Sequence, residues 1–177
     1  MRKPAFILTA FIILLFSFQT SGFCTNWYAG AQAGPEFLTS GDDYDLDTAI
    51  AFGIYGGYKF DKLVSLEANL ITATHDGKGD SELNVTSLLL GPRLTGRVTK
   101  DMDIYADAGF GVYILDLDLG PYDRSDTKAG LYLGAGIEFP LKRGIKLGMD
   151  FKYHAIFDNH PVDSDTVTLL MRLGFDL

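Results

Sequence analysis

The sequence predicts an eight-stranded, antiparallel, up-and-down β-barrel that spans a membrane. Eight segments of roughly ten residues alternate between apolar and polar side chains, and such segments are the signature of a barrel with a lipid-facing and a lumen-facing side. The connections between them are alternately short and long, as in outer-membrane barrels. An even number of strands leaves both chain ends on one side and no unpaired strand edge in hydrocarbon.

The chain divides into a secretory signal peptide, residues 1–24, and a single barrel domain, residues 25–177. Two basic residues, Arg2 and Lys3, precede an apolar run over residues 5–18, and small residues follow it. This order is typical of a signal peptide, and the run is too short for a comfortable transmembrane helix. We therefore expect export.

Small residues place the cleavage site after either Gly22 or Cys24, and both fit. Lipidation at Cys24 is disfavoured because the large Phe23 precedes it, and cleavage after Cys24 leaves no cysteine for disulfides or thiolate metal sites. Removing Arg2 and Lys3 from the 15 basic residues leaves 13 against 23 acidic ones, a net charge of −10. Such an acidic chain argues against a nucleic-acid partner.

The first two strands alternate small and aromatic residues. NWYAGAQAG, which starts at Asn26, places Trp27 and three alanines on one face and Tyr28, Gln32 and two glycines on the other. TAIAFGIYGGYKF, which ends at Phe60, opposes isoleucine and phenylalanine to alanine, glycine and tyrosine. Each segment therefore has one apolar face and one face of small or polar groups.

The third and fourth strands contain the two irregular features of the pattern. LVSLEANLI, residues 63–71, has a carboxylate, Glu67, in a run that otherwise looks buried, where an isolated ion would be very costly. Period two resolves this, since Glu67 then lies on the polar face, opposite Leu66. The fourth strand runs from about Asn84 to Gly96, and because Pro92 cannot donate to a ladder, we expect a bulge there.

The last four strands alternate most cleanly. They are DIYADAGFGVYIL, AGLYLGAGIEF, GIKLGMDFKYHA and TVTLLMRLGFDL, at residues 103–115, 129–139, 144–155 and 166–177. Short connections are expected at about 61–62, 97–101 and 140–144, and long ones at about 38–47, 73–82, 116–127 and 157–165. Aromatic residues near strand ends fit an interfacial girdle: Trp27, Tyr58, Phe60, Phe139 and Tyr153.

The polar faces predict an ionic lumen. An eight-stranded barrel is only wide enough inside for its own side chains, so buried charges there must neutralise one another. A hairpin centred on Lys100 would set Arg93 across from Asp107, and a symmetric hairpin between the sixth and seventh strands would set Glu138 across from Lys146. The alternative is that several charges lie in water at the rims, where pairs contribute little. Parity places four acids and four bases inside: Glu67, Arg93, Asp107, Glu138, Lys146, Asp150, Lys152 and Arg172.

The mature chain resembles the small barrels of the outer-membrane protein A family. The resemblance is carried by NWYAGAQAG, GIYGGYKFDKLVSLEANL, KDMDIYADAGFGVY and LGAGIEFPLKRGIKLGMDFKY. It implies that Glu67, Arg93 and Glu138 belong to an internal salt-bridge network that acts as a plug or gate. It also implies insertion by the barrel assembly machinery, and the chain resembles the branch that consists of the barrel alone.

The sequence departs from the family pattern at two places. The family's other gate arginine falls on Gly148, and Lys146 or Lys152 is the expected substitute. The final strand of the family usually ends on an aromatic residue, whereas here Phe175 stands two residues before the end. The first departure bears on whether the same switching mechanism operates.

The first functional hypothesis is a non-enzymatic barrel of the Gram-negative outer membrane that contributes to envelope integrity or presents surface loops. We expect a monomer without cofactors, surrounded by outer-membrane lipids and lipopolysaccharide. DDYDLD and DSD offer calcium-type oxygen ligands, but they lack calcium-loop spacing, so charge repulsion that keeps the loops solvated is the better explanation. The expected loop acids are Asp42, Asp43, Asp45, Asp47, Asp76, Asp80, Glu82, Asp116, Asp118, Asp123, Asp126, Asp158, Asp163 and Asp165.

Three alternatives stay open. One is a narrow gated pore. Another is an enzyme that modifies lipid A, although the inward-pointing His154 is followed two residues later by Ile156, where a deacylase has its serine. His75 and His160 are expected in loops, without companions at metal-ligand spacing. The third is a soluble antiparallel barrel or sandwich with an apolar core and a polar outside.

Overall fold

Eight antiparallel strands hydrogen-bond in chain order, and the first pairs with the last to close a barrel. The computed structural model describes residues 26–39, 48–76, 82–118, 123–157 and 165–177. The predicted fold class and strand number are confirmed. The strands are β1 (Trp27–Leu38), β2 (Ala49–Lys59), β3 (Val64–Asp76), β4 (Glu82–Thr99), β5 (Met102–Asp118), β6 (Asp123–Pro140), β7 (Ile145–Ile156) and β8 (Thr166–Asp176).

The middle strands are longer than the alternation predicted. Strands β4, β5 and β6 span 18, 17 and 18 residues and extend past the clean alternating segments. Six of the acids expected in loops lie in strands instead: Asp76 in β3, Glu82 in β4, Asp116 and Asp118 in β5, and Asp123 and Asp126 in β6. The expectation failed because paired strands continue beyond the hydrocarbon, where alternation of hydrophobicity is no longer required.

The bulge lies in a different place from the one expected. Pairing of β4 with β5 keeps one register from Leu90–Phe110 to Arg93–Asp107, so Pro92 introduces no extra residue. The register shifts instead between Arg97 and Thr99, next to the short hairpin. Pro92 faces outward and is tolerated there, so the prediction of a bulge at this proline is wrong.

The two faces of the barrel are inverted relative to a soluble protein. Outward side chains such as Phe110, Leu133 and Leu66 are 73%, 62% and 40% exposed, whereas Glu67, Lys152 and other ions are buried inside. A soluble barrel would bury the first set and hydrate the second. The soluble alternative is therefore wrong, and the outer face is a surface for hydrocarbon.

Both chain ends and three short connections share one end of the barrel. The connections are 60–63, 100–101 and 141–144, and by the rule that short turns face the periplasm this is the periplasmic end. In the first turn, the Asp61 carboxylate accepts hydrogen bonds from the backbone N–H groups of Leu63 and Val64 at 2.6 and 2.8 Å. In the third, the Lys142–Gly144 turn has positive φ at Arg143 (63°) and Gly144 (75°).

An aromatic cluster flanks this end. The Trp27 and Tyr58 rings pack edge to face with centroids 5.0 Å apart, and Tyr58 and Phe60 do the same at 5.4 Å. Edge-to-face pairs of this kind are favourable beyond the area they bury, and they suit a membrane interface. Among the described residues, no helix is long and apolar enough to cross a membrane.

Candidate functional site in the barrel lumen

One continuous row of ion pairs runs through the lumen toward the periplasmic end, and we call it the ionic row. Acids and bases alternate strictly along it, so its formal charge is zero. Neighbouring members lie 2.6 to 3.9 Å apart between charged atoms. In order, its ten members are Asp107, Lys152, Asp150, Arg172, Glu67, Arg93, Glu138, Lys146, Asp176 and Lys59.

Glu67 lies at the centre of the ionic row and is completely buried. Its Oε2 atom is 2.8 Å from Arg93 Nη1 and 2.9 Å from Arg172 Nη2. The Tyr28 hydroxyl also donates to Oε2 at 3.0 Å, and the Asn69 amide donates to Oε1 at 3.2 Å. A carboxylate with two guanidinium partners and two neutral donors has its desolvation cost offset.

Tyrosine rings hold both guanidinium groups in place. Arg93 lies over the Tyr105 ring and Arg172 over the Tyr55 ring, each with 3.6 Å between the guanidinium carbon and the ring centroid. Arg172 also donates to the Tyr105 hydroxyl at 2.9 Å. Stacking with a desolvated guanidinium is favourable, so the tyrosines of the polar faces fill the lumen and fix its cations.

Arg172 is the second base at Glu67, beside Arg93. In the β7–β8 pairing, Arg172 is the register partner of Gly148, so its guanidinium enters the lumen from the neighbouring strand. Neither Lys146 nor Lys152, the expected substitutes, is within ion-pair distance of Glu67; they bind Glu138 and Asp107 instead. That expectation is therefore wrong in the identity of the base.

At the end of the ionic row that lies farthest from the periplasm, the Lys152 ammonium binds two carboxylates. Lys152 Nζ lies 2.7 Å from Asp107 Oδ2 and 2.7 Å from Asp150 Oδ2, and all three side chains are fully buried. Gly134 makes room for this group, because a Cβ atom there would be 2.3 Å from Asp107 Oδ1. Asp150 Oδ2 also lies 3.3 Å from Arg172 Nη1, and this contact continues the ionic row.

At the periplasmic end the row opens into a vestibule of about 810 Å³. Here Lys146 Nζ lies 3.9 Å from Glu138 Oε2 and 3.3 Å from Asp176 Oδ1, and Lys59 Nζ lies 2.6 Å from the same Asp176 oxygen. These side chains are partly exposed, unlike the buried centre. The vestibule therefore hydrates the last links of the row and ends at Arg93.

Each predicted partnership is right in one respect and wrong in another. Arg93 and Asp107 are in register but form no ion pair, whereas Glu138 and Lys146 form an ion pair at 3.9 Å but are not in register. Arg93 does lie across from Asp107 in the β4–β5 ladder, but its guanidinium binds Glu67 and Glu138 at 2.8 Å each. Glu138 pairs in register with Gly148, two residues away from the predicted Lys146. Charged side chains long enough to cross the lumen choose partners on other strands, which the hairpin geometry does not specify.

Beyond the row, toward the other end, an apolar layer lies in the lumen. Buried Ile71, Leu89 and Leu170 pack with Tyr113 and Ile156 and with small alanines in one cluster inside the barrel. Leu170 has the same inward parity as Arg172, but alternation along one strand does not predict which residues of non-adjacent strands pack together. The apolar layer and the ionic row thus occupy successive levels of the lumen.

A second polar group lies inside the barrel outside the ionic row. His75 Nε2 is 3.3 Å from Glu36 Oε1, while the His154 ring nitrogens face the Tyr113 hydroxyl at 3.1 Å and Thr168 Oγ1 at 3.3 Å. His75 is therefore buried in β3, and its expected place in a loop is wrong. His154 points inward as predicted and has no contact with lipid.

Sequence reasoning missed Lys59 and Asp176 as members of the row. Both have the correct inward parity at strand ends, so extending the lumen set to the last residue of each alternating segment would have found them. The described residues include no group of three or more His, Cys, Asp or Glu side chains placed to hold a metal. Some earlier assignments lie outside the described residues: the signal peptide, His160, and Asp42, Asp43, Asp45, Asp47, Asp80, Asp158 and Asp163.

A family model described as the outer membrane protein beta-barrel domain matches residues 6–175 of the chain. No curated protein matches it in sequence. Several solved structures share its fold, and three of them illustrate the range of similarity.

Neisserial surface protein A superimposes with a TM-score of 0.73 at 15% identity, covering 86% of this chain and 98% of that chain. Ail, the attachment invasion locus protein of Yersinia pestis, gives 0.56 at 18% identity, with 84% and 94% covered. OprG of Pseudomonas aeruginosa gives 0.58 at 14% identity, with 86% and 95% covered. At these identities the similarity establishes the fold.

Proposed function

Since the chain belongs to the outer membrane protein beta-barrel domain family, we propose that it is a non-enzymatic barrel with a plugged lumen that contributes to envelope integrity or to interactions at the cell surface. Its place is the outer membrane, where the apolar outer face meets lipid. The observation that carries the proposal is the content of the lumen: a neutral ionic row followed by an apolar layer.

The ionic row resists opening because its central links are buried. A hydrated ion that crossed the lumen would have to separate Glu67 from Arg93 or Arg172, and breaking a buried pair costs roughly 3–5 kcal/mol. It would then meet the apolar layer around Leu89 and Leu170, which includes no charged side chain. A closed barrel has no transport role, so its function resides in its stability within the membrane and in its surface.

The loop sequences favour a surface that repels polyanions. Seven acids lie in the connecting sequences outside the described residues, and like charges of this density keep loops extended and solvated. Ail of Yersinia pestis has been crystallised with the heparin analogue sucrose octasulfate, a polyanion. A surface as acidic as this one suits basic partners instead, so we propose a cationic surface ligand if the loops bind one.

A gated pore is the second candidate, favoured by two features of the row. Glu67 is shared by two arginines, and Lys146 lies between two carboxylates, so partners are available for exchange. The vestibule is lined by residues as far in as Arg93. In this alternative the row would rearrange to conduct, and the apolar layer would have to separate as well.

His154 does not form the lipid-facing catalytic site that the enzyme hypothesis requires. Its ring contacts Tyr113 and Thr168 inside the barrel and is 1% exposed, whereas a lipid-modifying enzyme needs its base at the lipid face. Among the described residues, no serine forms a hydrogen bond with it. We therefore do not assign catalysis to this histidine.

Planar-bilayer recording separates the plugged barrel from the pore. Purified protein, shown to be folded by its heat-modifiable migration on a gel, should give no stepwise conductance at either polarity. Recurrent steps of uniform size in the wild-type protein would support the pore and end the plugged-barrel proposal.

A deletion strain separates envelope integrity from a loop function. We expect the strain to become more sensitive to detergent and to be rescued by the wild-type chain. The matched variant D42N/D43N/D45N/D47N removes only loop charges. Rescue by this variant assigns the function to the barrel, and failure despite normal membrane levels assigns it to the acidic loop.

A further inference from the structure

The three periplasmic turns repeat one chemical pattern. Each presents an exposed apolar side chain beside an exposed base: Leu63 beside Lys62, Val98 close to Lys100, and Leu141 beside Lys142. Phe60, 62% exposed, adds an aromatic ring to the first turn. Water alone does not suit the apolar side chain, and hydrocarbon alone does not suit the base. The headgroup region of a membrane suits both.

The periplasmic end is basic although the chain is acidic. The whole chain has 15 basic and 23 acidic residues, so the excess of bases at this end opposes the composition. The described residues of this end include seven bases and four acids outside the Arg93–Glu138 pair. The bases are Lys59, Lys62, Arg97, Lys100, Lys142, Arg143 and Lys146, and the acids are Asp61, Asp101, Asp103 and Asp176.

The acids at this end are already engaged. Asp176 binds Lys59 and Lys146, and Asp103 binds Arg97. Asp61 accepts backbone N–H groups of its own turn, and Asp101 Oδ2 lies 3.9 Å from Lys100 Nζ in a highly exposed pair. Within the described residues, no acidic side chain lies within ion-pair distance of the three exposed bases of the first and third turns. These bases are Lys62, Lys142 and Arg143.

We propose that these turns form a binding surface for anionic phospholipid headgroups of the periplasmic leaflet, which we call the basic collar: Lys62, Lys100, Lys142 and Arg143. The apolar side chains enter the acyl region and the bases bind phosphate from above it. Each base near an anionic surface adds to the attraction between the turns and that surface. The proposal rests on membership of the outer-membrane family and holds whether the lumen conducts or not.

The only tryptophan of the chain reports on this site directly. Trp27 starts β1 at the periplasmic end, is 55% exposed and packs against Tyr58. Bromine on lipid acyl chains quenches a tryptophan that it contacts. In nanodiscs of zwitterionic lipid with a minor fraction of brominated lipid, quenching of Trp27 therefore measures which headgroup class gathers at the collar.

We expect brominated phosphatidylglycerol to quench wild-type Trp27 at least about twofold more strongly than brominated phosphatidylcholine. In the variant K62Q/K100Q/K142Q/R143Q, both brominated lipids should quench Trp27 equally. High salt should reduce the wild-type preference, because exposed charges are screened. All four substitutions are at exposed positions, and heat-modifiable migration verifies that the variant folds.

The matched control is K78Q/R124Q, which removes one base from the sequence between β3 and β4 and one from the start of β6, at the opposite end of the barrel, and should keep the lipid preference. Equal quenching of the wild-type protein by both lipids would overturn the proposal. So would a preference that survives in the collar variant. If the wild-type protein shows no lipid preference but sediments with isolated cell-wall sacculi, and the collar variant does not, the surface takes a wall polymer and the lipid proposal is wrong.

Discussion

Arg172 lies directly across the β7–β8 pair from Gly148, and its guanidinium reaches Glu67 with 2.9 Å between Nη2 and Oε2. The position that lacks a side chain thus faces the side chain that fills the same space from the next strand. A lumen of fixed width needs a cation beside Glu67, and a side chain from either β7 or β8 can supply it. The charge arrangement is therefore set by the volume of the lumen more than by any one position.

The first prediction is that Arg172→Gln destabilises the barrel by about 3 kcal/mol. Glu67 and Asp150 would each lose a buried cationic partner, and leaving a buried charge uncompensated costs roughly 3–5 kcal/mol. Glu67 keeps Arg93 and Tyr28, so the loss falls at the lower end. Urea unfolding in detergent, followed by Trp27 fluorescence, measures the change in the free energy of unfolding.

The control is the same substitution at Arg97. Arg97 binds Asp103 through two atoms at 2.8 and 3.2 Å, but its side chain is 65% exposed. An exposed pair contributes about 0–1 kcal/mol. Equal losses for Arg97→Gln and Arg172→Gln would show that burial does not govern the ionic row.

The strand pattern and the inward set could be predicted from the sequence, but the partners could not. Period two determines the face of Glu67 or Lys152 without any knowledge of distant contacts. The partner of Arg93 depends instead on which carboxylate a long side chain reaches across the lumen. Glu67 and Glu138 lie on different strands from Arg93, and only the closed barrel brings all three together.

The second prediction is that Gly134→Ala destabilises the protein by about 1–3 kcal/mol, the usual range for overpacking. A methyl group there would lie 2.3 Å from Asp107 Oδ1 and 3.0 Å from Lys152 Cγ. Asp107 would have to move away from Lys152 and weaken their 2.7 Å pair. Urea unfolding again gives the difference.

Gly96→Ala is its matched control. The nearest atom to a Cβ at Gly96 is Ile104 Cγ1 at 3.9 Å, which is an ordinary contact. Alanine in a strand is favoured over glycine by roughly 0.5–1 kcal/mol, so this variant should be unchanged or slightly more stable. A loss at Gly96 as large as that at Gly134 would contradict the steric explanation.

The third prediction concerns the pH dependence of the first periplasmic turn. Hydrogen bonds from the backbone N–H groups of Leu63 and Val64 hold the pKa of Asp61 below its ordinary value of 3.8. A lowered folded-state pKa stabilises the turn above the unfolded pKa, and this contribution is lost as pH falls through the folded value. The turn should therefore stay intact near pH 5 and loosen only below about pH 4.

Nuclear magnetic resonance of the refolded protein checks this expectation. The Leu63 and Val64 amide resonances should shift with a midpoint below that of a model aspartate. In Asp61→Asn the shift should disappear. A midpoint at or above the model value would mean that the carboxylate does not accept these hydrogen bonds in the folded protein.

The fourth prediction is that nitroxide labels at Phe110, Leu133 and Leu66 contact hydrocarbon. These side chains are exposed on the outer face, so oxygen should relax the labels more effectively than a water-soluble nickel complex. A label at Lys100, in a periplasmic turn, is the control and should show the opposite ranking. Labels at the three apolar positions that report water would contradict the membrane orientation.

The fifth prediction is a coupling energy between Glu67 and Arg172. Glu67→Gln alone leaves Arg93 and Arg172 facing each other without the central carboxylate, so it should be destabilising by roughly 3–5 kcal/mol. In Glu67→Gln/Arg172→Gln, the charges of the remaining row are better balanced around Arg93, which keeps Glu138 at 2.8 Å. The double variant should therefore be more stable than the sum of the two losses implies, by about 1–3 kcal/mol. Additive losses would show that the two side chains act independently, and the ionic row would then be a set of separate pairs instead of one connected plug.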